Sequence, residues 1–108
     1  AAAFPLWLSP VQVMILPVAD RHIEFARSLA KEFEGKGLRA SVDESAESVG
    51  KKIRQAEKQK NPLMLVVGDK EMEGGPLTVR RRGSQEQQMM EKNAFLEEIL
   101  AEVATKKL

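Results

Sequence analysis

One uninterrupted apolar segment, residues 63–67 (LMLVV), constrains the fold more than any other part of the sequence. A strand with one solvent-facing side alternates apolar and polar residues, because successive side chains point to opposite faces of the sheet. Residues 63–67 do not alternate, so both faces of this strand must be covered. Such strands are typical of the centre of a parallel sheet that has helices on both sides.

The first half of the chain predicts two strands and two helices. Residues 11–18 (VQVMILPV) are rich in branched apolar side chains and predict the first strand. Residues 20–34 predict a helix that Asp20 caps. Residues 38–42 predict a second strand, and residues 48–60 predict a helix with an apolar stripe.

The second half predicts strands at 77–82 and 85–90 and a last helix at 93–106. The gap between residues 63–67 and 77–82 is too short for a crossover helix, so these two strands should run antiparallel. The expected fold class is therefore α/β, a three-layer α/β/α sandwich. Its mixed, mostly parallel sheet should have five strands and be flanked by three helices.

Length and composition fit one domain, since the 108 residues are 43% apolar. We expect residues 1–10 to be a linker from a missing upstream domain and residues 11–108 to be the domain itself. The first 19 residues carry no charge, but three prolines interrupt them and no basic segment precedes them. We therefore predict neither a signal peptide nor a membrane partner.

The sequence lacks the residues that several kinds of enzyme site require. The chain has no cysteine and one histidine, His22, which excludes thiolate and multi-histidine metal sites. Phosphate-binding loops of the G-x-x-x-x-G-K-[ST] type, dinucleotide turns and nucleophile elbows are also missing. We predict a chain without catalytic activity, cofactor or metal of its own, and His22 as a solvated surface residue.

The positive charge is local, because the whole chain has a net charge of only +1. Residues 51–60 (KKIRQAEKQK) contain five basic residues and one acidic residue. If the apolar stripe of this helix faces the sheet, Lys51, Arg54 and Lys58 face outward, where they could neutralise phosphates. Taken alone, the run also fits an ordinary solvated face.

A second basic feature ends the strand at 77–82. Leu77 and Val79 should face the core, so Arg80 and Arg82 face the opposite side of the sheet and Arg81 does not. Guanidinium groups bind base edges and phosphates with paired hydrogen bonds, although arginines also protect edge strands from unwanted pairing. The two basic features lie on adjoining elements, and together they favour a nucleic-acid interface.

Glu71 lies among these bases, in the turn after the central strand. A carboxylate accepts hydrogen bonds from base N–H groups, which arginine cannot do. An acid beside arginines is typical of a site that reads bases and not only phosphates.

Four segments carry a family resemblance: FPLWLSPVQVMILPV, G-K-K-I-R at 50–54, PLMLVVGDKE and TVRRRG. They resemble the C-terminal anticodon-binding domain of threonyl-tRNA synthetase, a class II aminoacyl-tRNA synthetase, from Phe4 to about Val103. The resemblance implies a five-stranded mixed sheet with three helices, placed behind a catalytic domain that this chain lacks. The related domains of prolyl-, histidyl- and glycyl-tRNA synthetases share the fold.

The resemblance also implies which residues bind RNA. In the family the second helix, the loop before it, the G-D-K-E turn and the arginine-bearing strand grip the anticodon loop. Carried over by position, the base-reading residues are Arg54, Glu71 and Arg80, and the residues expected at the RNA backbone are Lys52, Lys60 and Arg82.

The loop before the second helix departs from the family pattern. The family reads D-L-R-N-E-K-I-G where this chain has D-E-S-A-E-S-V-G at 43–50. Ser45 and Ala46 stand where the family has arginine and asparagine, so no contact is carried over to them. We expect Glu44 and Glu47 to repel phosphate.

By resemblance, the chain is the RNA-binding module of a cytoplasmic threonine-tRNA ligase. Its expected partners are the anticodon loop of threonine-accepting tRNA and the catalytic domain of the parent enzyme, where ATP and a metal ion would bind. The parent is expected to be a homodimer and the isolated domain a monomer. The alternative is a protein-interaction or dimerisation domain of the same fold with an eroded RNA site.

Overall fold

The computed structural model describes residues 11–59, 63–81 and 87–104. Its strands are β1 (Val13–Pro17), β2 (Ala40–Val42), β3 (Leu63–Val67), β4 (Leu77–Arg81) and β5 (Gln87–Met90). Its α-helices are α1 (Ile23–Gly35), α2 (Val49–Lys58), α3 (Asp69–Met72) and α4 (Lys92–Ala104). A short 3-10 turn at Asp20–His22 precedes α1.

The strands form one mixed sheet in the order β2-β1-β3-β4-β5. β1 pairs in parallel with β2 and β3, whereas β4 is antiparallel to both β3 and β5. The five-stranded sheet, the central position of β3 and the antiparallel direction of β4 confirm the sequence-based predictions. The connection from β3 to β4 holds only the four-residue α3 and a turn, too little chain for a crossover to a parallel strand.

One face of the sheet is covered by α1 and α4. The rings of Phe33 from α1 and Phe95 from α4 lie 5.7 Å apart between centroids and join the two helices. Side chains from β1, β3 and β4 complete this core: Val13, Ile15, Leu63, Leu65, Val67, Leu77 and Val79. Leu77 and Val79 thus anchor β4 on the α1 side, as their alternation predicts.

The opposite face is covered only in part. Ala56 of α2 packs against Leu16 of β1 and Met64 of β3 in a smaller core. On β4 and β5 the side chains that point to this face stay partly or fully exposed. We call this surface the open face; it consists of Thr78, Arg80, Gln87 and Met89.

Two local details differ from the sequence-based expectations. Asp20 was expected to cap the first helix, but it is the first residue of the 3-10 turn. The Ala19 N–H donates instead to Nδ1 of His22, 3.1 Å away. The helix α3 was not predicted, because four residues give no recognisable apolar period. The predicted strand and helix ends at residues 60, 82, 85–86 and 105–106 lie outside the described residues.

The turn between α3 and β4 depends on two glycines. Gly74 has φ of +94°, a conformation that side chains strain. Gly75 donates its N–H to the Lys70 carbonyl at 2.8 Å, and a Cβ at Gly75 would lie 2.7 Å from that same oxygen. The tight turn brings β4 back beside β3.

Replacing Gly75 by alanine should therefore lower the free energy of unfolding by about 1–3 kcal/mol, since the backbone must shift to relieve the clash. Urea denaturation measures this loss. The matched control is Gly50→Ala in α2, where a Cβ meets no atom within 4 Å and should leave stability equal or slightly higher. Equal stability of the two variants would show that the turn adapts to a side chain.

Candidate nucleic-acid interface

The candidate site comprises the carboxyl ends of β1 and β3 and the adjoining open face of β4 and β5. From β1 the chain crosses to β2 on one side of the sheet, and from β2 it crosses to β3 on the other. This reversal leaves a crevice beyond the ends of the parallel strands, where α/β proteins commonly bind ligands. The segments at 18–22 and 68–76 follow these two strands and form the crevice's edges.

Lys52 reaches this end of the sheet from inside. Its side chain is 3% exposed, and its Nζ donates to the Pro17 carbonyl at 2.9 Å. Lys52 was expected to contact the RNA backbone, but it lies four residues before buried Ala56 and shares that inward helix face. The structure therefore makes Lys52 a contact between α2 and the end of β1, and does not support a surface role.

Arg21, His22 and Asp69 form a cluster, called here the Asp69 cluster, across the crevice. Nε and Nη2 of Arg21 donate to the two Asp69 carboxylate oxygens at 3.1 and 2.7 Å. Nε2 of His22 lies 2.7 Å from Oδ1 of the same carboxylate. The prediction of a solvated His22 is wrong, since this residue is 2% exposed. Its carboxylate partner lies 47 residues away in sequence, so local pattern gave no sign of it.

The hydrogen bonds of His22 indicate which ring nitrogen carries its proton. Because Nδ1 accepts from the Ala19 N–H, a neutral ring with its proton on Nε2 satisfies both contacts. Hydrogen bonds from Arg21, and secondly from His22, hold the pKa of the Asp69 carboxyl at about 2, below its usual 3.8. The first residue of α3 is thereby fixed to the start of α1.

Glu71 is fixed as well, two residues further along α3. One carboxylate oxygen accepts from the Gly68 N–H at 3.2 Å, and the other accepts from the Thr78 hydroxyl at 3.1 Å. Each carboxylate oxygen has two acceptor positions, so Glu71 retains capacity for further donors. The side chain is half-buried and linked directly to the open face through Thr78.

Arg80 and Arg81 point to opposite faces of β4. Nη2 of Arg81 lies 3.0 Å from Glu102 and 3.5 Å from Glu98, both on α4. Nε of Arg80 lies 3.5 Å from Glu57 on α2. The prediction that Arg80 and Arg81 diverge is thus confirmed, and Arg80 is the one on the open face.

Arg80 is partly buried, but its guanidinium does not have all of its N–H groups in hydrogen bonds with the described residues. Its side chain is 18% exposed, and its buried Nε makes no hydrogen bond within the described part of the chain. The 3.5 Å separation from Glu57 is an electrostatic contact that lacks hydrogen-bond geometry. A buried donor left unpaired costs about 1–3 kcal/mol. A ligand on the open face can reach the exposed part of the Arg80 side chain but not its buried Nε.

Arg54 adjoins this surface from the helix. It is exposed on α2, three residues before Glu57, so the two side chains occupy neighbouring positions of the helix surface. Glu57 was not predicted as part of the site; its sequence signal is that it is the single acid among five bases in 51–60. Lys60 and Arg82 fall outside the described residues, so the structure places neither.

A sequence profile described as the anticodon binding domain matches residues 12–102, most of the chain. The chain belongs to the anticodon-binding domain family. Its fold, with the G-D-K-E turn and the arginine-bearing strand brought together beside α2, is the fold expected from the resemblance.

Curated relatives and a solved structure agree with this assignment. The anticodon-binding domain is 50% identical over 108 residues to a threonine–tRNA ligase of Rubrobacter xylanophilus, covering 99% of this chain and 17% of the relative. It is 46% identical over 106 residues to a threonine–tRNA ligase of Staphylococcus aureus, covering 97% of this chain and 16% of the relative. The chain therefore spans about a sixth of the length of these relatives.

The solved structure is the RNA binding domain of threonyl-tRNA synthetase from Cryptosporidium parvum Iowa II. It superposes on the anticodon-binding domain with a TM-score of 0.85 at 29% identity, covering 91% of this chain and 25% of that one. The similarity confirms the five-stranded α/β fold.

The loop before α2, where the sequence departs from the family pattern, carries acids that are already paired. Glu44 bonds to the Arg27 guanidinium, which lowers the pKa of the Glu44 carboxyl. Glu47 lies 3.1 Å from Lys51 one turn along the chain. Because both carboxylates have basic partners, their repulsion of phosphate is weaker than the sequence alone indicates.

A cavity of about 420 Å³ lies on the other side of the anticodon-binding domain, between α1, the α3–β4 turn and the start of α4. Glu71 lines this cavity, whereas Arg54 and Arg80 do not. The cavity is partly open to solvent. Within 11–59, 63–81 and 87–104, no His, Cys, Asp and Glu side chains group as metal ligands. None of the helices in these ranges is long and apolar enough to cross a membrane.

The Asp69 cluster predicts an acid-sensitive contribution to stability. The pKa of Asp69 is lowered from 3.8 to about 2 in the folded chain, so its contribution is complete above pH 3.8 and is lost as the pH falls toward 2. Asp69→Asn should be less stable than the wild type near neutral pH, and the difference should shrink over that acid range. Urea denaturation at a series of pH values measures it.

Arg21→Met provides a second test of the same contact, because Arg21 is the largest cause of the lowered pKa. Its stability should also approach that of the wild type in acid. A stability gap that stays constant down to pH 2 for both variants would contradict a role for the ionised Asp69 carboxylate.

Proposed function

We propose that this domain recognises the anticodon loop of threonine-accepting tRNA for a threonine–tRNA ligase. The observation that carries the proposal is the position of Arg80, which is partly exposed on the open face beside the Glu71–Thr78 pair. The threonine–tRNA ligases that match nearly the whole chain support it. In the parent enzyme, ATP, threonine and a metal ion bind to a catalytic domain elsewhere, and the enzyme is a cytoplasmic homodimer.

The chemistry of the surface matches the edges of unstacked bases. Arg54 and Arg80 supply hydrogen-bond donors for base carbonyl oxygens and ring nitrogens. Glu71 supplies the acceptor that a base amino or imino N–H needs. Bases in RNA loops expose these edges when they splay from the stem, and RNA-binding proteins read them there. Lys60 and Arg82 contact the phosphates in this proposal.

The charge of the surface favours recognition of bases over attraction of phosphates. Arg54 and Arg80 are balanced by Glu57 and Glu71 within the same surface. A nearly neutral surface gains little from phosphate attraction alone, so discrimination between bases has to come from directed hydrogen bonds. Of the exposed lysines beside it, Lys51 is paired with Glu47, and Lys58 supplies phosphate-binding charge.

Arg80→Ala tests the base-reading role. It should weaken binding of the threonine tRNA anticodon stem-loop by about 1–3 kcal/mol, because a charged, paired contact to a base is lost. Binding of a stem-loop with an altered anticodon should change less. Fluorescence anisotropy at low salt measures both affinities.

Arg81→Ala is the matched control, since it removes an adjacent guanidinium that points to α4. It should alter stability but not RNA affinity. Equal loss for cognate and altered stem-loops in Arg80→Ala would reduce Arg80 to a phosphate contact. Absence of any wild-type binding at low salt, together with self-association, would favour the protein-interaction role.

Salt dependence separates the phosphate contacts from the base contacts. The logarithm of the association constant should fall linearly with the logarithm of salt concentration, by about 0.7 for each phosphate neutralised in single-stranded RNA. If Arg54 reads a base edge, Arg54→Met should weaken binding and leave this slope unchanged. A slope reduced by about 0.7 would instead assign Arg54 to a phosphate.

A further inference from the structure

The open face carries one strongly exposed apolar side chain, Met89 of β5, which is 61% exposed. Met89 lies directly opposite Thr78 in the β4–β5 pairing. Side chains of directly opposed residues point to the same face of a sheet, with Cβ atoms about 4.5–5.5 Å apart. Met89 is therefore the neighbour of the hydroxyl that holds Glu71.

Folding does not account for the position of Met89. The adjacent Met90 pairs with Leu77, points to the opposite face and packs against the main core. Met89 gains no such burial, and Gln88, opposite Val79 on the Met90 side of the sheet, is also exposed. A single exposed methionine is ordinary on a protein surface, so its significance comes from its neighbours Thr78 and Arg80.

Hydrogen bonds to a base edge leave the flat face of the base to be covered. RNA-binding modules cover such faces with aromatic or other flat side chains. The aromatic residues in the described part of the chain, Phe25, Phe33 and Phe95, all lie on the α1–α4 side of the sheet. On the open face, Met89 is the side chain that can cover the flat face of a base, because a polarisable thioether makes favourable contacts with aromatic rings.

We propose that Met89 packs against the face of an anticodon base whose edge is bound by Arg80 or Glu71. The inference rests on the proposed RNA-binding function and adds an apolar contact to it. Arg80 and Gln87 are directly opposed on the same face, next to the Thr78 and Met89 pair, so donor, acceptor and apolar surface adjoin. The strand pair then supplies the donor and the apolar contact, and Glu71 of α3, which Thr78 of β4 holds, supplies the acceptor.

The direct test is the NMR spectrum of the intact chain with its methionine methyl groups labelled with ¹³C. On addition of the anticodon stem-loop, the Met89 methyl should shift upfield, because it enters the ring current of a base. The Met72 methyl is the internal control. It is also exposed, at 45%, but lies on α3 where it lines the cavity on the other side of the sheet.

Substitutions provide the second measurement. Met89→Gln keeps the length of the side chain and removes its apolar end; it should weaken binding of the stem-loop by roughly two- to tenfold. Met89→Leu should restore most of the affinity, and Met72→Gln should bind as the wild type does. None of these neutral changes should alter the salt slope.

Two results would overturn the inference while leaving the proposed function intact. They are an unshifted Met89 methyl at saturating RNA, and Met89→Gln binding as tightly as the wild type while Arg80→Ala binds weakly. If the wild-type chain binds no stem-loop at low salt, the proposed function fails and the inference fails with it. The methyl shift needs no substitution, so the result does not depend on the folding of a variant.

Discussion

The carboxylate of Asp69 fixes α3, the helix that carries Glu71, to the start of α1. It accepts two hydrogen bonds from Arg21 and lies 2.7 Å from Nε2 of His22, which ties the start of α3 to the segment that enters α1. Glu71, two residues later on the same helix, has its carboxylate held by the Gly68 N–H and the Thr78 hydroxyl. A carboxylate fixed in this way loses less conformational entropy when it meets a base than a mobile one would.

The two faces of β4 give its two arginines different partners. Arg81 is neutralised by two glutamates of α4 and helps attach that helix. Arg80, one residue earlier, lies 3.5 Å from Glu57 of α2 without hydrogen-bond geometry. The pleat thus places two adjacent, chemically identical side chains in different surroundings: Arg81 helps to attach α4, and Arg80 lies on the open face beside α2.

Sequence patterns predicted the parts of the fold that depend on local period. Residues 63–67 predicted a central strand from their own composition, and the alternation after Leu77 correctly separated Arg80 from Arg81. The patterns failed where a contact joins distant segments. The prediction for His22 was wrong because its partner Asp69 is far away in sequence. The helical period places Lys52 on the inward face of α2, but it does not indicate the Pro17 carbonyl that binds its Nζ.

The site that results is nearly neutral at its centre, which bears on how it can discriminate. Long-range attraction to phosphates is the same for every RNA sequence, and a strongly basic surface would bind any loop. Glu57 and Glu71 reduce that attraction beside Arg54 and Arg80, so a loop whose bases do not match leaves buried donors and acceptors unpaired and gains little in return. In the proposed function, Ser45 and Ala46 before α2 offer no charged contact, so base discrimination depends on the turn and β4.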